Sequence, residues 1–374
     1  MPPKTQRAAQ YNPVSKKVEI NEIPVPSIKD DEILIRTVAA SLCHSDILYT
    51  CPQHHHIADL APAATQMLVE GQIPAVSDDP VTIGHEATGQ VVAVGAGVRG
   101  FKKGDRVGFI NAYHACFKCR GCANHYIYCT SGSMVMQGFS CNGYFQEYCA
   151  IDAGTAVVLP PTMDATVSSP IFCAGITAYH AVLKAGLREG ETLAVIGCGG
   201  LGQLAIKYAK AKKLRVLAID VDDATLATAA ASGADATFNS RTSSSYLDDI
   251  ISLTSGGCDA TAVFAAVKAG YDGAPATLRV GGRLVVVGIP KHDIQVSAFD
   301  LTMCKYHIVA ANNAATPRQL ADCAAFTAEH KISSPSRFFE LEQIGEMIGA
   351  MQRQEMAGTR MVVKFGEGVE GSRL

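Results

Sequence analysis

The chain has 374 residues, of which 48% are hydrophobic and 18% are charged, and this composition excludes a mainly disordered protein and predicts two folded domains. The 32 Lys and Arg residues nearly balance the 35 Asp and Glu residues, for a formal charge of -3, so neither nucleic acid nor a membrane is expected as a partner. The start of the chain lacks a signal-peptide core, and no apolar run reaches the roughly 18 residues of a membrane span. We therefore expect a soluble cytoplasmic protein.

The first part of the chain, residues 1–156, consists of short strand-like runs, turns and glycine-rich corners. Stretches rich in β-branched residues lie at 32–38 and 90–94. This pattern predicts an irregular β-rich domain. Four of the 13 cysteines crowd between residues 116 and 129, and such crowding in a reducing compartment indicates a metal site before it indicates disulfides.

These four residues form what we call the four-cysteine segment: Cys116, Cys119, Cys122 and Cys129. Four thiolates around Zn²⁺ make a closed, tetrahedral, structural site. The surrounding loop is polar and contains glycine, which is difficult to explain if the thiols only fill a core. An iron–sulfur cluster is less favoured, because no second cysteine pattern of the cluster type accompanies the segment.

Residues 157–310 alternate between apolar strands and Ala-rich helical stretches, with glycines at the turns. This alternation predicts an α/β domain with a parallel sheet and crossover helices. Residues 311–374 return to helix and end in a strand-like run. The predicted elements are strands at 191–196, 214–219, 260–264, 283–288 and 360–365, and helices at 201–213 and about 222–232.

A glycine motif joins the first predicted strand of this domain to its helix: Gly197-Cys198-Gly199-Gly200-Leu201-Gly202. Glycines in this pattern let the backbone approach a pyrophosphate at the helix N-terminus. Asp220, at the tip of the next strand, supplies a carboxylate for the ribose hydroxyls and disfavours a 2′-phosphate. We therefore predict NAD(H) binding in preference to NADP(H). An ordinary strand-to-helix turn with a solvent-facing Asp is the alternative.

Three further segments contain metal-ligating residue types: Cys43-His44-Ser45-Asp46, Gly84-His85-Glu86, and Cys173-Ala174-Gly175-Ile176-Thr177. These segments, the four-cysteine segment, the glycine motif and the turn at Val287-Gly288-Ile289-Pro290 follow one another along the chain in the order of a known family. By these motifs the chain resembles the zinc-dependent medium-chain alcohol dehydrogenases, and the stretch at 173–177 most resembles their fungal and bacterial tetrameric branch. The likeness spans nearly the whole chain. It implies a GroES-like catalytic domain (1–156), a Rossmann NAD-binding domain with a doubly wound parallel sheet (157–310), and a C-terminal segment (311–374) that returns to the catalytic domain. It also implies a homodimer or homotetramer.

The resemblance also implies a second, catalytic zinc. Cys43, His85 and Cys173 would hold it and leave one position open, so each chain would carry two Zn²⁺. Asp46 would orient the His85 ring, and Glu86 would approach the zinc when its fourth ligand leaves. For Asp46 and Glu86 the alternative is an ordinary solvated or turn residue.

Four other positions receive roles from the same resemblance. Ser45 would be the proton-relay hydroxyl beside the substrate oxygen. His44 would touch the cofactor phosphates, more weakly than an Arg because a neutral imidazole carries no charge. Thr177 and Val287 would belong to the cofactor site.

Together these features predict an oxidoreductase that transfers a hydride between NAD(H) and an alcohol with its aldehyde or ketone, while zinc polarises the substrate oxygen. An NADP(H)-dependent aldehyde reductase of the cinnamyl-alcohol type is disfavoured by Asp220. A dinucleotide-binding relative without turnover is the alternative from another class. The presence of Cys43, His85 and Cys173 argues against it, because folding does not require an open metal site.

The region after Ser45 departs from the family pattern. Leu48 stands where many relatives have a histidine that passes the proton to solvent. About twenty extra residues lie near 49–77, and they include His54, His55 and His56. This insertion would cover the pocket, mediate a subunit contact or supply a substitute relay histidine, although a solvated histidine cluster is the commoner outcome.

Other departures concern the cofactor and substrate sites. Thr225 and Pro317 replace basic residues of relatives, which predicts weaker NAD(H) binding unless Arg318 compensates. Asn111 stands in place of a bulky aromatic residue, which predicts a roomier pocket unless it only caps a turn.

Overall fold

The computed structural model describes residues 2–46, 79–353, 355–356 and 358–366. The predicted insertion near 49–77, with Leu48 and the three histidines, lies outside the described residues.

Antiparallel strands dominate the N-terminal part and are completed by two strands from the C-terminal segment: β1 (Thr5–Asn12), β2 (Lys17–Pro24), β3 (Glu32–Leu42), β4 (Val81–Thr82), β5 (Ala87–Val94), β6 (Arg106–Phe109), β7 (Ala112–Tyr113), β8 (Val135–Met136), β9 (Tyr148–Asp152), β10 (Ala156–Val158), β17 (Ser336–Phe339) and β18 (Arg360–Lys364). A three-stranded sheet has the order β2-β1-β4, and a seven-stranded sheet has the order β10-β6-β5-β3-β18-β17, with β9 also on β3. β7 and β8 form a two-stranded sheet beside them.

β3 organises the larger sheet because it is long and pairs with three other strands. Its first half pairs with β9, its second half pairs with β18, and β5 runs along its other edge. Nearly every β3 side chain is buried, since both faces of the sheet are covered. The carboxyl end of β3 therefore starts from a rigid frame, and the candidate ligand Cys43 follows it directly.

The second half of the chain contains a six-stranded parallel sheet: β11 (Thr192–Ile196), β12 (Arg215–Asp220), β13 (Ala236–Asn239), β14 (Cys258–Val263), β15 (Leu278–Val286) and β16 (Tyr306–Ala310). Its order is β13-β12-β11-β14-β15-β16. This is the doubly wound order 3-2-1-4-5-6, whose switch point lies between the first and fourth strands. The predicted fold class is confirmed.

Helices cover the parallel sheet and join it to the other sheets: α1 (Arg120–Asn124), α2 (Ala165–Ser168), α3 (Ala174–Ala185), α4 (Gly200–Ala211), α5 (Asp223–Ala231), α6 (Tyr246–Thr254), α7 (Lys268–Gly273), α8 (Ala298–Thr302), α9 (Pro317–Glu329) and α10 (Ile344–Gln352). α4 buries Leu204, Ala205, Tyr208 and Ala209. Each fully buried side chain of Leu size contributes about 1.5–3 kcal/mol to folding, so α4 is firmly held behind the glycine motif.

Within the described residues, no single helix has the length and apolar composition of a membrane span. The turn of helix at 165–172 and the helix at 174–185 reach that composition together, as a pair bent by 54°.

Candidate active site and metal centres

Strand pairing brings together two of the three candidate catalytic ligands. Ala40 lies opposite Ala87 in the antiparallel pair of β3 and β5, so Cys43, just past the end of β3, lies beside His85, just before β5. Cys173 joins them from the start of α3. The ligand atoms of the three side chains all lie within 4.8 Å of one another, and His85 Nε2 is 3.2 Å from Cys173 Sγ.

This spacing fits a metal ion. Zinc bonds of about 2.0–2.3 Å in a tetrahedron place ligand atoms about 3.6–3.8 Å apart, and the group needs only small adjustments to reach that geometry. Two sulfurs and one imidazole are soft and borderline donors that suit zinc. Three protein ligands leave the fourth corner of a tetrahedron free, which is the arrangement of catalytic rather than structural zinc.

A buried carboxylate supports this group from behind. Asp46 Oδ1 is 2.6 Å from His85 Nδ1, and Asp46 Oδ2 accepts the Cys43 backbone N–H at 2.8 Å. Burial alone would lower the pKa of His85, but the charges of Asp46 and Cys43 outweigh burial and raise that pKa to about 10. When Nδ1 donates to Asp46, Nε2 is the ring nitrogen that faces Cys173 and remains for a metal.

A hydrogen bond couples the thiols of Cys43 and Cys173. A hydrogen bond with the Cys173 thiol is the main cause that holds the pKa of Cys43 well below its ordinary value, and the His85 charge adds to it. The same hydrogen bond raises the pKa of Cys173 well above its ordinary value. The lowered pKa favours the thiolate form of Cys43, which is the form that binds metal.

Glu86 is fully buried and has two partners. Its carboxylate pairs with the guanidinium of Arg360, which begins β18 and is only 4% exposed. The other carboxylate oxygen accepts the Ala174 backbone N–H at 3.3 Å, at the start of the helix that follows Cys173. Sequence reasoning missed Arg360, although a lone Arg in the apolar run Arg360–Lys364 is a signal, since a buried Arg needs a partner.

Arg360 also reaches the glycine motif. A Cβ atom at Gly200 would lie 2.7 Å from Arg360 Cδ, so a glycine at this position lets the arginine side chain pass the start of α4. The buried pair of Glu86 and Arg360 thus links the candidate metal group to the nucleotide-type turn. In this arrangement the approach of Glu86 to a metal stays a prediction.

The glycine motif forms the turn between β11 and α4 with Gly197 and Gly199, and it forms the first residues of α4 with Gly200, Leu201 and Gly202. Gly197 has φ +86°, a left-handed conformation that favours glycine. Asp220 ends β12 beside this turn and accepts the Cys198 backbone N–H at 2.6 Å through Oδ2. Its Oδ1 accepts the Val221 N–H at 2.7 Å. The carboxylate is therefore fixed at the carboxyl edge of the sheet, at the switch point where ligands of such sheets bind.

Two exposed valines flank this edge, and sequence reasoning missed both. Val221 follows β12 and Val267 lies between β14 and α7, and their side chains are 44% and 57% exposed. β12 and β14 are the strands on either side of β11. Exposed apolar side chains at these two positions offer faces for a flat aromatic group such as adenine.

Thr225 has a local structural role. Its hydroxyl and backbone N–H both donate to Asp222 Oδ2, at 2.7 and 2.8 Å, and so begin α5. Pro317 likewise opens α9, where Thr316 and Gln319 form a capping box; Pro suits the first turn because its missing N–H has no helical partner there. Arg318 beside it is exposed.

The remaining predicted positions lie around the metal group or at the sheet edge. His44 is exposed, and Ser45 Oγ is 4.0 Å from Cys43 Sγ. Thr177 is buried in α3 and its hydroxyl donates to the Cys173 carbonyl at 2.7 Å. Val287 follows β15 and is half-buried.

Asn111 is buried, and its Oδ1 accepts the Tyr126 hydroxyl at 2.9 Å. A hydrogen bond with the Asn313 side chain lowers the pKa of the Cys173 thiol against the larger effects of Cys43 and burial. Phe139 also lies at the site, with its ring centroid 5.0 Å from that of His85. Phe139 and Asn313 belong to loops, and the sequence gave no signal of their position.

The four-cysteine segment folds into a second candidate metal group. All four Sγ atoms lie within 4.8 Å of one another, and Cys116 Sγ is 3.9 Å from Cys122 Sγ. Backbone donors point at the sulfurs: the Cys122 N–H lies 3.3 Å from Cys119 Sγ, and this bond is the largest cause that lowers the pKa of Cys119 to about 5. Burial raises the pKa of Cys122 to about 12. Four converging sulfurs fit a closed tetrahedral zinc site.

Replacing Cys122 with Ala is expected to lower the metal content by about one ion per chain, because three thiolates no longer close the tetrahedron. Cys141→Ala, a half-buried cysteine outside both groups, should keep the full content. Elemental analysis of protein never exposed to chelator measures both. Equal metal content in the two variants would contradict a metal in the four-cysteine segment.

The doubly wound sheet thus lies in the same chain as a group of three candidate metal ligands with one open position. Two family descriptions match this chain: the alcohol dehydrogenase GroES-like domain over residues 29–161 and the zinc-binding dehydrogenase over residues 200–328. An alcohol dehydrogenase of Geobacillus stearothermophilus is 32% identical over 366 residues, which cover 96% of this chain and 99% of that protein. The chain belongs to the zinc-type medium-chain alcohol dehydrogenase family, so the family predicted from the motif order is confirmed.

Further relatives agree. An alcohol dehydrogenase of Moraxella sp. (strain TAE123) is 31% identical over 362 residues, which cover 96% of this chain and 99% of that protein. The crystal structure of the alcohol dehydrogenase from the archaeon Aeropyrum pernix superposes with a TM-score of 0.80 at 24% identity, over 96% of this chain and 100% of that one. The chain is thus an oxidoreductase of the alcohol dehydrogenase type with a GroES-like and a Rossmann-type part.

Proposed function

We propose that this protein is an NAD(H)-dependent zinc alcohol dehydrogenase that interconverts a primary or secondary alcohol and its aldehyde or ketone by hydride transfer. The observation that carries the proposal is the convergence of Cys43, His85 and Cys173 within 4.8 Å beside a nucleotide-type turn. A zinc ion held there would supply a Lewis acid that polarises the substrate oxygen. A second zinc in the four-cysteine segment would be structural.

The protein groups around the ion have separable tasks. Asp46 contacts His85 Nδ1 and so orients the ring with Nε2 toward the position that an ion would occupy. Ser45, half-buried and next to Cys43, is placed to hold the proton exchanged with the substrate hydroxyl. The exposed His44 is available to the cofactor phosphates. The valines at 221 and 267 and the burial of the site would keep adenine and the reacting carbon in a water-poor setting.

The preference for NAD(H) rests on Asp220. Its carboxylate retains acceptor capacity beyond its backbone partners, and its negative charge opposes a 2′-phosphate. Asp222 and Asp223 add negative charge in the same turn. An NADP(H)-dependent aldehyde reductase is the second candidate within enzymes, and these carboxylates disfavour it.

Replacing Asp220 with Ser is expected to weaken NADH binding about 10- to 100-fold, because each lost charge-assisted hydrogen bond is worth about 1.5–3 kcal/mol. NADPH binding should weaken less or improve, since a repulsive charge is removed. Fluorescence titration with both dinucleotides measures the ratio. Asp272→Ser, which removes an exposed carboxylate paired with Lys268 on α7, is the control. A ratio of NADH to NADPH affinity that is unchanged by Asp220→Ser would count against the assignment.

The proposed function is tested by following NADH oxidation with small, aromatic and polyfunctional aldehydes, with and without chelator. Turnover that depends on metal supports it, and so does a content of two zinc ions per chain. Turnover that survives complete metal removal would refute the mechanism. Binding of NADH with one zinc and no turnover on any substrate would favour the non-catalytic relative. The homodimer or homotetramer and the cytoplasmic location stay predictions.

A further inference from the structure

We infer that Gln203 is a positioning residue for the dinucleotide: its buried carboxamide fixes the glycine motif in the conformation that presents backbone N–H groups to a pyrophosphate, a role that rests on the dinucleotide binding proposed above. Gln203 follows the last glycine of the motif and lies in the first turns of α4. Nothing in the motif pattern itself calls for a polar side chain at this position.

The Gln203 side chain is completely buried, and a buried carboxamide must find hydrogen-bond partners. Its Nε2 donates a hydrogen bond to the Cys198 carbonyl at 2.7 Å and a longer one to the Thr225 carbonyl at 3.4 Å. Its Oε1 accepts the Ser232 hydroxyl at 2.5 Å. One side chain thus joins the glycine motif to both ends of α5.

The hydrogen bond to the Cys198 carbonyl fixes the orientation of the peptide between Cys198 and Gly199. In a trans peptide the C=O and N–H point in opposite directions. Because the Cys198 carbonyl points inward to Gln203, the Gly199 N–H points away from it, and Gly199 is exposed. Asp220 holds the preceding peptide through the Cys198 N–H at 2.6 Å. The two peptides that flank Cys198 are therefore held from different sides, by Asp220 and by Gln203.

The remaining contacts tie this turn to neighbouring parts of the dinucleotide site. Thr225 and Ser232 belong to the start and the end of α5, the helix that follows Asp220. A Cβ atom at Gly358 would lie 3.2 Å from Gln203 Nε2, so the segment that leads to Arg360 packs on the same carboxamide. Gln203 thus holds the glycine motif, the helix that follows Asp220 and the segment before Arg360 in fixed relative positions before any ligand binds. Such pre-organisation lowers the free-energy cost of ordering these segments on binding.

The test compares three variants of the full chain. Gln203→Met keeps the length of the side chain and removes its hydrogen bonds, and it is expected to raise the Kd for NADH about tenfold or more. The KM for the dinucleotide should rise in parallel, while kcat and the KM for the alcohol change less than about threefold. Gln203→His retains an N–H donor and should recover most of the affinity.

Tyr208→Phe is the matched control on the same helix. It removes a buried hydroxyl that lies 2.7 Å from Thr327 Oγ1 and 3.8 Å from Cys323 Sγ, both in α9. It therefore perturbs α4 through another neighbour and should leave the Kd for NADH unchanged. Ser232→Ala, which removes only the bond accepted by Gln203 Oε1, serves if Gln203→Met does not fold and should weaken NADH binding two- to threefold, an estimate on the order of one lost neutral hydrogen bond.

The outcomes separate this role from the proposed function. If the wild-type protein binds NADH and Gln203→Met or Ser232→Ala binds it equally well, the positioning role is overturned and the proposed function stands. If Tyr208→Phe weakens binding as much as Gln203→Met, the effect is general destabilisation and the role is again overturned. If the wild-type protein binds neither NADH nor NADPH, the proposed function fails and the role of Gln203 fails with it.

Discussion

Cys173→Ala is expected to lower turnover by a factor on the order of 10³ or more and to remove about one metal ion per chain. The physical reason is that two ligands, Cys43 and His85, do not hold a divalent ion in an open site against water, so the several kcal/mol that a Lewis acid contributes to the barrier are lost. Steady-state turnover and elemental analysis measure the two effects on the same preparation.

The matched control is Cys258→Ala in β14, where the same substitution is made at another buried cysteine. Both variants create a similar small cavity, but only Cys173 belongs to the candidate metal group. Cys258→Ala should therefore keep its metal and nearly all of its turnover. The assignment of Cys173 as a ligand is wrong if its Ala variant retains two metal ions per chain.

A third variant, Asp46→Asn, tests the residue that supports His85. Asp46→Asn keeps the shape of the side chain behind His85 and removes its charge. Substitutions of such supporting groups typically cost 10- to 100-fold in metal affinity or activity. The loss of turnover in Asp46→Asn should therefore be smaller than in Cys173→Ala and larger than in Cys258→Ala. A loss as large as that of Cys173→Ala would indicate that Asp46 itself touches the ion or the substrate.

Local patterns made much of this molecule predictable from sequence. Alternation of apolar strands and Ala-rich helices predicted the parallel sheet, because the hydrophobic periodicity and the turn residues of one strand–helix–strand unit lie within about thirty consecutive residues. The glycine motif and the four-cysteine segment were readable for the same reason: all their parts are close in the chain. Cys43, His85 and Cys173 are far apart, and only the family resemblance grouped them before strand pairing brought them together.

What could not be predicted depends on contacts between distant segments. Arg360 meets Glu86 across 274 positions of sequence, and Phe139 reaches the His85 ring from a loop without regular period. Thr225 and Pro317 were compared with relatives as substitutions in the cofactor site, yet locally they begin helices α5 and α9. Their contacts stabilise the first turns of these helices, and a comparison of motif positions alone does not reveal this.

Arg360→Met is expected to lower the free energy of unfolding by about 3–5 kcal/mol, because it leaves the fully buried Glu86 carboxylate without its opposite charge. Urea denaturation, read as a shift of the midpoint at constant m-value, measures the loss. Arg353→Met, which breaks an exposed pair with Glu355, is the control and should leave the midpoint unchanged. Equal midpoints for the two Arg variants would show that the buried pair contributes nothing.

The double variant Glu86→Gln with Arg360→Met separates charge from packing. If the loss in Arg360→Met comes from an isolated buried charge, replacing that charge with a neutral amide should restore most of the stability, because the double variant removes both ions at once. If it comes from the lost stem of Arg360 beside Gly200, stability should stay low in both. The first result is expected, since the guanidinium and the carboxylate are both buried and each is the charge that compensates the other.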